Sequence, residues 1–76
     1  MNTLTIRLRN LPTAEGTFIP GFILFENFGS GSKIANFTCS DILPCATEEK
    51  ATTIAHNAAL DHIRKNYPEG TRYSFS

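Results

Sequence analysis

The chain has 76 residues, and its seven basic and seven acidic side chains cancel to zero net charge. That is one small domain, without the long-range field that draws in nucleic acid or an anionic membrane. Charged residues are only 18% of the chain, below the roughly 25% of an average domain, so part of the surface is expected to be apolar and to have a partner.

No run approaches the roughly 18 apolar residues of a membrane span. The opening MNTLTIRLRN alternates polar with apolar and lacks the apolar centre of a signal peptide. Two cysteines, Cys39 and Cys45, are too few for a disulfide framework. The expected setting is cytoplasmic, with reduced thiols. A single core of this size supplies roughly 3–5 kcal/mol, which favours an oligomer or a partner interface.

In residues 3–9, Leu4, Ile6 and Leu8 share one face and Thr5, Arg7 and Arg9 the other, the pattern of a half-buried strand. Residues 10–16, NLPTAEG, read as a loop. A second strand is expected over Thr17–Phe28, interrupted at Pro20-Gly21, where proline has no amide to donate and marks an edge, a bulge or the start of the strand proper. Phe22-Ile23-Leu24-Phe25 is apolar on both faces. A helix-covered sheet needs only two of these four, and the other two face solvent, meet a partner, or are covered by a loop or the chain terminus.

Phe28-Gly-Ser-Gly-Ser32 reads as a hairpin loop. A third strand is expected over Lys33–Ser40, with Ala35, Phe37 and Cys39 on one face and Ile34, Asn36 and Thr38 on the other, and Asp41-Ile-Leu-Pro44 breaks it. A helix follows from Thr47 to Tyr67. Thr47 can cap it, Glu48 and Glu49 suit its positive end, and Arg64 and Lys65 suit its negative end. Ala51, Ile54, Ala55, Ala58, Ala59, Leu60 and Ile63 recur at helical spacing, while Lys50, Thr53, Asn57, Asp61 and Arg64 face water. Pro68 and Gly70 stop the helix. Residues 71–75 read as a short fourth strand or a tail. The expected class is α+β: a three-stranded antiparallel meander with one helix on one face, β-β-β-α(-β).

Cys39, Cys45, His56 and His62 are the one metal-like series, but the five residues between the cysteines exceed the roughly 2–4 of a zinc finger. The two histidines also point about 120° apart on a helix. His62 falls on the apolar side, as a core or boundary histidine bonded to backbone. A cysteine nucleophile at Cys45 would have Glu48 and Glu49 opposing its thiolate. No catalytic residue, cofactor or metal is expected.

The frame Thr47-Glu48-Glu49-Lys50-Ala51-Thr52, followed by Ala55, Ala58, Ala59, Leu60 and Ile63, resembles the second helix of the double-stranded-RNA-binding domain. The resemblance implies that family's meander and helix as scaffold. The positions of the family's phosphate-contacting lysines correspond to Glu48, Glu49 and Thr52, where carboxylates repel RNA, and the family's first helix has no counterpart before Thr3. The β-β-β-α order with its Thr-x-Glu helix start is also similar to HicB-type antitoxins, whose partial RNase H fold binds a small toxin. In size and style the chain looks like small phage inhibitors of host defence, anti-CRISPR proteins among them.

The functional expectation is a non-catalytic protein-interaction module, homodimeric or bound to a larger complex, in its preferred version an inhibitor or accessory of a nucleic-acid-handling complex. The candidate contact residues are Phe22, Leu24, Phe28, Arg7, Arg9 and Tyr73. The alternative is nucleic-acid binding through Arg7, Arg9, Lys33 and Arg72, or an antitoxin-type regulator. No membrane partner is expected.

Overall fold

The alternation that defines the first strand also decides which side of the sheet becomes the core. The computed structural model describes residues 3–28, 31–39 and 43–75. β1 (Thr3–Leu8) buries Leu4 and Ile6 completely and leaves Arg7 exposed. A small hairpin follows, β2 (Leu11–Pro12) with β3 (Phe18–Ile19), its turn held by Thr13 and Thr17 and by Gly16 at φ 81°. β4 (Gly21–Phe28) and β5 (Gly31–Thr38) form a long antiparallel pair. The helix α1 (Glu48–Asn66) then leads through a turn at Gly70 (φ 89°) into β6 (Arg72–Phe75).

The class is α+β, with a mixed sheet and a single helix among the described residues. The strand order is β5-β4-β1-β6. The β1–β4 and β4–β5 pairs are antiparallel, but β6 joins β1 in parallel, from Thr3 beside Arg72 to Ile6 beside Phe75. The sheet is therefore not purely antiparallel. A helix intervenes between β1's neighbours and β6, so the chain returns along the helix and enters β6 in β1's own direction.

The expected strand over Thr17–Phe28 is two strands. Pro20, fully buried, sits between β3 and β4 and lacks the amide a continuous ladder needs. The expected hairpin loop is tighter than the Gly/Ser run suggested, because Gly31 and Ser32 already pair with Phe28 and Asn27. Gly29-Ser30 of that loop, Ser40 at the end of the third strand, and Asp41-Ile42 of the break lie outside the described residues.

Helix α1 starts as its sequence dictates. The Thr47 hydroxyl accepts a hydrogen bond from the Lys50 amide at 3.2 Å, with Glu48 and Glu49 in the first turn and Arg64 and Lys65 in the last. Ala51, Ala55, Ala59 and Ile63 form its buried stripe. The small size of the three alanines lets the helix backbone approach β1 and β4, and Ala59 and Ile63 join Leu4, Ile6, Phe22 and Leu24 in one cluster. Two ties fix the helix's leading end: reciprocal backbone bonds between Phe18 and Cys45 (2.8 and 2.7 Å), and the Asn10 amide donating to the Thr52 hydroxyl at 2.9 Å.

Candidate functional site

A strand's side chains alternate, so the register assigns every sheet residue to a face. Leu4 and Ile6 lie under the helix, as do their β4 and β5 counterparts Phe22, Leu24, Ala35 and Phe37. On the other face Arg72, Thr3, Asn27 and Ser32 form one row, and Ser74, Thr5, Phe25 and Ile34 the next. Arg7, Ile23 and Asn36 follow, and Gly21 and Thr38 come last. The Arg9 amide donates to the Gly21 carbonyl at 2.8 Å, which extends β1's pairing so that Arg9 falls on this face beside Arg7.

The middle of this face is apolar: Ile23 and Phe25 are half-buried and Ile34 is 59% exposed. Around it stand Arg7, Arg9 and Arg72, all exposed. The Arg7 guanidinium lies 5.8 Å from the centroid of the Phe25 ring, a cation–π contact that leaves its charge outward. The Ser32 hydroxyl donates to the side-chain Oδ1 of Asn27 at 3.1 Å, and the side-chain Nδ2 of Asn27 donates to the Thr5 hydroxyl at 3.4 Å. A hollow of about 160 Å³ between Arg9, Ile23, Asn36 and Thr38 marks one end.

The described strand residues on this face include no carboxylate. Glu26 pairs with Leu4 and Lys33 and so faces the helix side. The ion pairs among the described residues are confined to the helix, where Asp61 meets Lys65 at 3.0 Å and Arg64 at 3.3 Å. The Lys65 ammonium holds the Asp61 carboxyl below its usual range. Three of the four arginines, Arg7, Arg9 and Arg72, thus stand on this face of the sheet, while the helix carries basic and acidic side chains in equal number.

Of the residues expected to meet a partner, Arg7 and Arg9 lie on this face. Phe22 and Leu24 do not. They are 4% and 3% exposed beneath the helix, because β4's even positions align with Leu4 and Ile6. The same strand's odd residues, Ile23 and Phe25, take their place. Tyr73 aligns with Leu4 on the helix side, 47% exposed and edge-on to Phe75 at 6.2 Å. Phe28 ends β4, but its side chain lies outside the described residues. Lys33 is opposite Glu26 and does not join the arginines. Ile34, not among the expected contact residues, alternates with Ala35 and so falls on this face opposite Phe25.

On the helix side His62 packs on the Phe37 ring at 4.4 Å and its ring nitrogen meets the Asn66 amide at 3.3 Å, a side-chain partner rather than the expected backbone one. His56 instead stacks on Phe75 at 4.3 Å. Cys45 is buried beside Phe18. Tyr67 lines a hollow of about 350 Å³ with Leu4, Glu26 and Arg72. Burial, then the hydrogen bond and charge of Glu26, push its phenol above the ordinary range. No protein-family model, curated protein or solved structure matches this chain.

Proposed function

We propose that this chain is a non-catalytic protein-interaction module whose working surface is the sheet face opposite the helix. The observation that carries the reading is an apolar centre, Ile23, Phe25 and Ile34, bordered by Arg7, Arg9 and Arg72 with no carboxylate among the described strand residues of that face. Aromatic and arginine side chains dominate the energetic centres of protein interfaces. Arginines with no carboxylate paired to them among the described residues select a surface that supplies one. Among the described residues the helix packs against Leu4, Ile6, Phe22 and Leu24, on one of the two faces only.

The narrower version, an inhibitor or accessory of a nucleic-acid-handling complex of the phage anti-defence type, rests on the likenesses of size and architecture given above. β6 takes the sheet beyond the three-stranded meander of the double-stranded-RNA-binding likeness, and Glu48 and Glu49 are both exposed at the helix start. A carboxylate pair there disfavours that family's ligand.

The test is capture from host lysate with the wild-type chain, Ile34→Glu and Arg7→Glu/Arg72→Glu, each first shown to be folded. The reading expects a protein held by the wild type and released by both variants. Identical captures would sink it. Nucleic-acid binding is the second reading, favoured by the same three arginines. A low-salt gel shift that collapses in Arg7→Ala/Arg9→Ala would put it first.

A further inference from the structure

The outer edge of β5 has unused hydrogen-bonding capacity in a defined pattern. The Cys39 amide donates to the Pro20 carbonyl at 2.9 Å. Paired residues of antiparallel strands alternate between bonded and non-bonded, so positions 37, 35, 33 and 31 also bond to β4. Ser32, Ile34, Asn36 and Thr38 therefore point their amides and carbonyls away from β4, toward the side where, among the described residues, no strand pairs.

An eight-residue edge of this kind is a template for another strand unless it is blunted by charge, proline or shortness. β5 has one charge, Lys33, and no proline. The opposite edge, β6, is half as long and carries Arg72.

We propose that a second copy of this chain adds its own β5 antiparallel to this edge, with Ala35 opposite Ala35 on the two-fold axis. This register pairs position 32 with 38 and 34 with 36, reciprocally. It engages all four outward-facing positions on each strand, whereas a shift of two residues either way leaves Ser32 or Thr38 unpaired. Ala35 is small enough for the close approach of a non-bonded pair. Lys33 falls opposite Phe37, which keeps the two lysines apart. A two-fold axis perpendicular to the sheet sets both helices on one side and joins the two arginine-bearing faces on the other. The inference stands whatever that face binds.

Light scattering on the eluting chain is the test. The wild type is expected at twice the monomer mass of 8.4 kDa. Asn36→Pro removes one outward amide and none of the bonds to β4, so it should elute as a monomer with unchanged circular dichroism. Ile34→Lys, at a position 59% exposed, should do the same and carries the test if the proline variant fails to fold. In a Cys39→Ser background, Ala35→Cys should form a copy-to-copy disulfide on mild oxidation, because side chains directly opposite lie within about 4.5–5.5 Å. Ser32→Cys should not. A wild-type monomer at every concentration, or a dimer that survives both edge variants, overturns the proposal.

Discussion

The Phe37 carbonyl oxygen lies 2.8 Å from the point that a Cβ on Gly21 would occupy, and the Arg9 carbonyl lies 2.9 Å from it on the other side. Both neighbours are backbone and cannot rotate away. Gly21→Ala is therefore expected to cost roughly 1–3 kcal/mol, the range for overpacking a well-filled site. Urea unfolding measures it, and a wild-type midpoint would mean that the three strands part easily at this end.

The two faces of β4 and β5 should answer differently to truncation. Leu24→Ala removes a side chain 3% exposed from the cluster under the helix and should cost roughly 2–5 kcal/mol. Ile34→Ala, on the opposite face, should stay within about 0.5 kcal/mol in a monomeric background. Equal losses at the two positions would reverse the assignment of faces.

Ala55 has no exposed surface and sits in the middle of the helix stripe. Its methyl group sets how near the helix lies to the sheet. Ala55→Leu should lower stability by roughly 1–3 kcal/mol despite leucine's good helix propensity. A more stable variant, by thermal melting, would show spare volume beneath the helix.

Tyr67 makes stability depend on alkaline pH. Its phenol titrates higher in the fold than in the unfolded chain, so above about pH 10 the folded state holds more protons and stability falls as pH rises. The contribution is fully present below that pH. Ultraviolet titration of phenolate absorbance should show a late-titrating phenol that is absent from Tyr67→Phe. Glu26→Gln should move it toward the ordinary value without reaching it, because burial is the larger cause. Tyr67→Phe should remove its share of the alkaline loss, and an unchanged profile would count against the burial of the ring.

Much of this arrangement was legible in the residues. The Leu4-Ile6-Leu8 alternation named the inner face of β1, and Thr47, Glu48, Arg64 and Pro68 bracketed the helix, because strand periodicity and helix capping are local physics. The partition of Phe22–Phe25 was not legible, since four apolar residues in a row satisfy either phase. Only pairing with Leu8 and Ile6 decides that Phe22 and Leu24 go inward. That choice also moved the candidate surface to Ile23, Phe25 and Ile34. The direction of β6 was equally hidden: Arg-Tyr-Ser-Phe fits a parallel or an antiparallel neighbour, and the return path of the helix selects the parallel one. Lys33 was readable by parity with Ala35, which separates it from the arginines.

β1 has a neighbour on each side, β4 and β6, and it precedes both in the chain. While a ribosome is still holding residues 72–75, β1 can pair only with β4, and its far edge stays open for the whole time that the helix takes to emerge. Closure of the sheet is thus a late event in synthesis. A stall or cleavage between the helix and β6 would release a chain with its core begun and its central strand exposed, the species most exposed to aggregation.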